Sequence, residues 1–142
     1  MAYWPKKFES VYHEDILSWL EQHIFMVLLW PREKDLDLLK ETYITTENVK
    51  RLADAAEKAW NAILEKDIHR FAEAFLDSFR SQTQMFPAMI NPQVQKAIDE
   101  YKDGALAWKL AGAGGGGYLI LVSEEPVKGA MRIKVRRKDS GI

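Results

Sequence analysis

Five glycines occupy six consecutive positions, from 112 to 117, and an apolar run, YLILV at 118–122, follows them directly. The whole chain has only eight glycines. Glycine loses more backbone freedom on folding than any other residue, and a tight hairpin turn needs only one or two. We therefore predict a functional loop that enters a strand, with positive φ angles, close approach of another group and exposed N–H groups able to hold an anion. A plain glycine-rich turn is the less favoured alternative.

Two nucleotide-binding motifs were compared with this loop. Gly112, Gly114 and Gly117 fit the spacing of the dinucleotide fingerprint, but that fingerprint follows a strand and opens a helix. Here the residues after the loop have the pattern of a strand. A P-loop is not predicted either, because no Gly-Lys-Ser/Thr follows.

Helical periodicity and capping residues predict most of the chain before the loop. Residues 13–22 favour a short helix, and residues 31–42 favour a charged loop that leads into another. Apolar residues at helical spacing follow Thr46, the predicted cap of a long helix, and Asp67, the predicted cap of its antiparallel partner. Asn91 before Pro92, with Gly104 beyond the end, predicts a further helix.

Four segments have the pattern of strands. Residues 24–30 are continuously apolar and precede Pro31, which predicts a buried strand. Residues 105–111 and 118–123 are also apolar, and residues 131–137 alternate, which predicts one buried and one solvated face. Strands with helices grouped on one face make an α+β sandwich, and 142 residues suit a single domain.

Composition excludes several classes of function. The net charge is -1, and the basic segment 128–138 has no interleaved aromatic residues, so neither nucleic acid nor a membrane surface is an expected partner. With no cysteine and with His13, His23 and His69 far apart, no metal site is predicted. We assign no catalytic residue, because Asp67, Asp77 and Asp99 suit caps and solvated faces. The N-terminus lacks a signal-peptide pattern and the longest apolar run is too short to span a bilayer, so we expect a cytoplasmic protein.

The segment GALAWKLAGAGGGGYLILV, residues 104–122, resembles the third conserved motif of the GHMP kinases, the superfamily of galactokinase, homoserine kinase, mevalonate kinase and phosphomevalonate kinase. That motif has the form Lys-x-Thr/Ser-Gly-Ala-Gly-x-Gly-Gly before a strand. The preceding segment FPAMINP, residues 86–92, is similar to the SPGISNP of the branch that phosphorylates heptose phosphates. The resemblance covers about residues 8–123 and is specific over 104–118.

The resemblance implies a ferredoxin-like α+β sandwich with an antiparallel sheet of about four strands and helices on one face. It implies a two-domain sugar kinase whose N-terminal domain holds ATP and Mg²⁺ through a Gly-Leu-Gly-Ser-Ser loop. The C-terminal glycine loop then borders the substrate and the nucleotide phosphates. Matching positions here are Lys109, Gly112, Ala113, Gly114, Gly115, Gly116 and Gly117. Arg32, after the first strand, is a candidate substrate contact, with an ordinary charged loop as the favoured alternative.

This chain departs from the family pattern at several points. Ala111 stands where the motif has Thr or Ser, Trp108 replaces a small residue and is expected to reshape the cleft, and no GLGSS segment occurs in the 142 residues. We therefore expect residues 1–142 to form only the C-terminal domain, without the N-terminal ATP-binding domain, and to be inactive and without tight ATP or Mg²⁺ binding by itself.

The expected partners follow from the same resemblance. They are an N-terminal kinase domain, in the same chain or in a separate subunit, and a sugar or sugar-phosphate substrate. A homodimer through exposed interdomain surface is left open. The alternative function is a non-catalytic module that binds an anion or a sugar phosphate, or assists assembly.

Overall fold

The computed structural model describes residues 8–31, 41–112, 114 and 116–137. Within these residues, four α-helices and four β-strands follow one another in the order α1, β1, α2, α3, α4, β2, β3, β4. The helices are α1 (Glu14–His23), α2 (Thr46–Glu65), α3 (Ile68–Met85) and α4 (Pro92–Tyr101), and the strands are β1 (Ile24–Leu28), β2 (Ala107–Leu110), β3 (Tyr118–Val122) and β4 (Met131–Arg132).

The strands form one antiparallel sheet in the order β2-β3-β1-β4. The last strand thus returns to the far side of the first, as in a ferredoxin-like sandwich. Leu28 pairs with Tyr118 at one end of the β1–β3 ladder, and Ile24 pairs with Val122 at the other. The predicted α+β class and four-stranded antiparallel sheet are confirmed.

Three of the helices have an N-cap residue whose side chain accepts a hydrogen bond from the first helical turn. The side chains of Asp67 and Asn91 accept hydrogen bonds from the backbone N–H groups of Arg70 and Val94, as predicted for N-caps. The cap of α2 was predicted as Thr46, which is wrong by one residue: Thr45 accepts from the Asn48 N–H at 3.1 Å. Because adjacent threonines offer the same hydroxyl, only the backbone angle at the helix start selects between them.

Helices α2 and α3 pack along each other as the predicted hairpin. Lys66 between them has a φ of 54°, in the left-handed region that ends many helices, and its N–H bonds the Ala62 and Ile63 carbonyls. The aromatic residues of this hairpin differ in burial. Phe71 and Phe79 are buried, whereas Trp60 is half-buried and its Nε1 donates to Glu9 at 2.7 Å.

Most of the core lies on one face of the sheet. Its main cluster unites strand residues with α4, with Phe79 of α3 and with Met89 of a 3-10 turn at Pro87–Met89. A second cluster joins Ala107 and Val122 to Phe71, Ala72 and Ala62 of the hairpin. The buried strand residues of the main cluster are Phe25, Val27, Leu110, Leu119 and Leu121.

The predicted burial of the first strand over residues 24–30 is wrong for one of its faces. Strand β1 ends at Leu28, and burial alternates along it, with Phe25 and Val27 buried and Leu28 65% exposed. The two faces differ in what packs on them. Helix α4 packs on the face that carries Phe25 and Val27, whereas the second cluster covers the opposite face only at its Ile24–Val122 end.

The predicted last strand, residues 131–137, is also corrected. Only Met131 and Arg132 pair with β1, and both are exposed. Beyond them, the Ile133 N–H makes one more backbone hydrogen bond, to the Ile24 carbonyl of β1 at 3.2 Å. Side chains of α1 hold the rest: the Val135 N–H donates to Glu21 at 2.7 Å, and the Arg137 guanidinium binds Glu14 and Glu21. The alternating pattern of this segment therefore reflects extended chain held by α1 rather than a long strand.

Two segments connect strands of the sheet to the elements that follow them. The short helix expected within 31–42 falls largely in residues 32–40, outside the described residues. Between β3 and β4, residues 123–130 contain turns and no helix. Among the described helices, none has the length and apolar character needed to cross a bilayer.

Candidate functional site: the glycine loop

The glycine loop connects β2 to β3 at the end of the sheet where Leu28 lies. The Ala111 N–H donates to the Tyr118 carbonyl at 3.0 Å and closes the loop at its base. Gly117 then continues the ladder with β1, because its carbonyl accepts from the Leu29 N–H and its N–H donates to the Trp30 carbonyl, both at 2.8 Å. The loop is therefore anchored to the sheet on two sides.

Three of the described loop glycines adopt a backbone that other residues strongly disfavour. The φ angles are 69° at Gly112, 82° at Gly114 and 85° at Gly117. For an L-residue with a side chain, this left-handed region brings Cβ too close to the following carbonyl. The backbone of the loop therefore requires glycine at these three positions, which explains why glycines are concentrated here.

Gly114 is fixed by a contact as well as by its backbone angle. A Cβ added to it would lie 2.9 Å from the Cβ of Met89 in the 3-10 turn at Pro87–Met89. Gly112 and Gly117 have nothing within 4 Å of such a Cβ. Gly112 is exposed, whereas Gly114 and Gly116 are buried. One part of the loop is therefore packed on the domain while its beginning faces solvent.

Sequence reasoning missed Met89 as part of this site. The one signal in the sequence was the similarity of residues 86–92 to the SPGISNP segment. That similarity points to the segment that contains Met89 but does not show that Met89 contacts Gly114. Met89 is 1% exposed and belongs to the main core, so the loop rests on a rigid support.

Lys109, predicted as part of the site, directs its ammonium group toward α3. Its Nζ donates to Gln82 Oε1 at 2.7 Å and to Ser78 Oγ at 3.1 Å, and it lies 5.9 Å from the Phe79 ring centroid. These partners are neutral, and burial lowers the pKa of Lys109. In this arrangement Lys109 joins β2 to α3, and among the described residues its ammonium group is held by neutral partners alone.

The remaining positions singled out in the sequence are only partly described. Trp108 packs against the main core, because it is paired with Leu121 on the covered face of the sheet, and its expected effect on the cleft stays a prediction. Ala111 is half-buried at the base of the loop. Arg32, Ala113 and Gly115 lie outside the described residues, and their predicted roles stay predictions.

The polar groups around the loop include one buried donor and no described cluster of metal ligands. Trp30, whose carbonyl accepts from the Gly117 N–H, has a buried Nε1 donor that meets no acceptor among the described residues. Within the described residues, no three His, Cys, Asp or Glu side chains come together as a metal site. In the described part of the loop, Gly112 is exposed, the Gly117 N–H is already donated to the Trp30 carbonyl, and no cluster of metal ligands is present.

Comparison with known proteins places the chain in a family. The model described as GHMP kinases C terminal matches residues 59–133. A curated relative, the L-fucokinase/L-fucose-1-P guanylyltransferase of Bacteroides fragilis, is 31% identical over an aligned length of 140 residues, and the alignment covers 84% of this chain and 14% of that protein.

Two solved structures share the fold. A mevalonate kinase has a TM-score of 0.58 and 21% identity, with 82% of this chain and 37% of that chain covered. A D-glycero-D-manno-heptose 1-phosphate kinase from Bacteroides thetaiotaomicron has a TM-score of 0.50 and 16% identity, with 81% of this chain and 29% of that chain covered. The chain spans well under half of each relative. It belongs to the GHMP kinase C-terminal family, and its relatives include sugar kinases.

Proposed function

We propose that this chain acts as the C-terminal domain of an ATP-dependent sugar or sugar-phosphate kinase, with its glycine loop completing the active site against an N-terminal ATP-binding domain. The observation that carries the proposal is the loop itself. In a chain of the GHMP C-terminal family, three positive-φ glycines form a β2–β3 connection that is packed on Met89 at one point and open at another.

A loop of this construction suits phosphoryl transfer. The reaction depends on positioning and on stabilising charge that is spread over phosphate oxygens. Backbone N–H groups without neighbouring Cβ atoms can approach such oxygens closely, and a loop fixed on a buried residue needs little rearrangement when they arrive. Gly112, which is exposed, is the described position best placed to face the ligand.

ATP and Mg²⁺ are general requirements of GHMP kinases. Because the described residues bring together no cluster of metal ligands, we assign the metal and most nucleotide contacts to the N-terminal domain. The positive charge of Lys109, whose partners among the described residues are neutral, would favour anionic groups near the loop without a direct contact. We accordingly expect the isolated chain to be inactive and to bind Mg-ATP weakly. Its cytoplasmic location stays a prediction.

The phosphate acceptor is proposed to be a sugar hydroxyl. One relative is named an L-fucokinase and another a heptose 1-phosphate kinase, so a sugar and a sugar phosphate are both candidates. The alternative, a non-catalytic module, keeps the same loop as an anion site.

The test begins with the native polypeptide, immunopurified from its source cell with an antibody against the α2–α3 hairpin. We expect a species larger than 16.4 kDa, or a complex with a second subunit, that releases ADP from Mg-ATP when L-fucose or a heptose phosphate is added. Replacing Gly114 by Ala should lower this activity at least about tenfold, because small displacements of positioning groups are costly for catalysis.

Gly104 provides the matched control. A Cβ at Gly104 meets nothing within 4 Å, and its φ is outside the left-handed region, so Gly104→Ala should keep full activity. A native species that is never larger than the chain, releases no ADP and is stabilised against heat by a sugar phosphate alone would contradict the kinase proposal and favour the binding module.

A further inference from the structure

One face of the sheet carries an apolar surface that the described residues of the chain leave uncovered. We define the open sheet surface as Met26, Leu28, Tyr118, Ile120 and Met131. Cross-strand partners share a face of a sheet, and here Leu28 pairs with Tyr118 while Met26 pairs with both Ile120 and Met131. Alternation places all five opposite the buried Phe25 and Leu121.

The exposure of this surface is large for apolar residues. Leu28 is 65% exposed, Met131 57% and Tyr118 40%, while Met26 and Ile120 are half-buried. The side chains belong to three adjacent strands, so they form a contiguous patch rather than scattered positions. Contiguous apolar patches of this kind commonly mark interaction sites.

The surface has a defined border on one side. In the row formed by Met26 and Ile120, the β2 residue is Lys109, whose ammonium group is held by Ser78 and Gln82 of α3. Helix α3 therefore closes the β2 edge, and the uncovered area extends from there toward β4.

The open surface is continuous with the glycine loop. Tyr118 directly follows Gly117, and Leu28 directly precedes Leu29, whose N–H donates to the Gly117 carbonyl. A domain that brings bound nucleotide to the loop must approach this end of the sheet, where Leu28 and Tyr118 are the first apolar side chains it meets.

We propose that the open sheet surface is the docking site of the N-terminal kinase domain. This inference rests on the proposed function and adds the location of the domain contact. The family model describes only the C-terminal part of GHMP kinases, and the aligned relatives contain far more chain than this one spans. An apolar contact next to the loop would hold the loop in register with the phosphates, since a contiguous exposed apolar patch commonly marks a protein contact.

The experiment compares hydroxyl-radical labelling of the isolated chain with that of the native species purified through the α2–α3 hairpin. Leucine, tyrosine and methionine side chains all react, so Leu28, Tyr118 and Met131 report directly on the surface. Tyr43 and Ile44, 54% and 63% exposed and outside the sheet, are the internal controls. We expect labelling of the three surface residues to fall several-fold in the native species, with Tyr43 and Ile44 unchanged.

A pair of variants tests the contact independently. Leu28→Lys should leave the folded isolated chain intact, because the side chain is exposed, but should restore labelling of Tyr118 and Met131 in the native species. Ile44→Lys, a matched exposed change away from the sheet, should alter neither.

Several outcomes overturn the inference. Unchanged labelling in a native species that releases ADP would place the domain contact elsewhere and leave the proposed kinase function standing. Protection in a dimer of this chain alone, identified by its mass, would make a second copy the occupant. A native monomer with a reactive surface would also overturn it. ADP release, measured on the same preparation, reports separately on the proposed function.

Discussion

Both faces of the sheet are built from apolar strand residues, yet the described residues close only one face fully. Strand β1 has the sequence IFMVL and β3 has YLILV, so each strand carries apolar side chains on both faces of the sheet. Phe25, Leu119 and Leu121 are at most 2% exposed, whereas Leu28 and Tyr118 are at least 40% exposed. A continuously apolar strand has two faces that favour burial, but the pattern does not say what covers each face. Here the described residues cover one face fully and the other only in part.

The largest expected effect contrasts these two faces. Leu121→Ala should lower the free energy of unfolding by about 2–5 kcal/mol, because it opens a cavity in the main core. Leu28→Ala should lower it by less than about 0.5 kcal/mol, because the side chain is already in solvent. Urea denaturation of the isolated chain measures both. Equal losses would mean that the open face is covered in solution, and the contrast between the faces would fail.

The next effect separates the packed and open parts of the glycine loop. Gly114→Ala combines a disfavoured backbone angle with the 2.9 Å contact to Met89, so we expect a loss of about 2–4 kcal/mol. Gly112→Ala has the angle without the contact and should lose about 1 kcal/mol.

Gly104→Ala is the control for both and should be near neutral. The three variants are compared by thermal and urea unfolding. If Gly112→Ala and Gly114→Ala were equally destabilising, the contact with Met89 would add nothing, and the loop would not be fixed at Gly114.

A smaller, pH-dependent effect concerns the segment after β4. Hydrogen bonds from Arg137 lower the pKa values of Glu14 and Glu21 below their ordinary value of 4.5. A carboxylate whose pKa is lowered by folding stabilises the fold above the ordinary pKa, and this contribution is lost as the pH falls through the lowered value. Arg137→Gln should therefore be less stable than the unmodified chain at pH 7, with the difference shrinking once the pH falls below 4.5.

The exposed Arg136 supplies the comparison, since Arg136→Gln removes the same charge without these carboxylate contacts. Unfolding free energies from urea titrations at a series of pH values distinguish the two. A difference between Arg137→Gln and the unmodified chain that persisted undiminished into strong acid would show that lost packing, rather than the ion pairs, is responsible.

The smallest expected effect lies at Lys109, on the border between the covered and open parts of the same face. Burial lowers the pKa of Lys109 from 10.5, so the folded chain gives up this proton more readily than the unfolded chain. Stability should rise as the pH increases from the lowered pKa toward 10.5, and below that range the penalty for the buried charge is fully present. Lys109→Met should remove this rise.

Lys96→Met, on the exposed side of α4, should keep it. The measurement is the free energy of unfolding across the alkaline range for both variants. An identical alkaline rise in Lys109→Met would assign it to other groups and would remove the evidence that the Lys109 ammonium is penalised by burial.

The helices were the most predictable part of the fold. Asp67 and Asn91 cap α3 and α4 as expected, and the error at α2 is one residue, from Thr46 to Thr45. Capping and helical periodicity act between residues three or four apart, so neighbouring sequence contains most of the information. The glycine loop was predictable for a similar reason, since a left-handed backbone selects glycine at each position separately.

The surroundings of the loop were much less predictable. Nothing near Gly114 in the sequence points to Met89, and nothing near Lys109 points to Ser78 and Gln82. In both cases the whole of α4 lies between the contacting residues along the chain. The segment 131–137 was predicted as a strand from its alternation, but its extended form is held by Glu14 and Glu21, more than a hundred residues earlier.

The sequence by itself determined the helices with their caps, the glycine loop and the membership of the GHMP C-terminal family. These features depend on local backbone preference and on residue identity at fixed spacing. Only the tertiary structure decided which apolar face is covered, which glycine is packed and where the Lys109 ammonium lies. Each of these depends on long-range placement of α3, α4 and the turn at Pro87–Met89, and burial is a property of the assembled chain rather than of any segment.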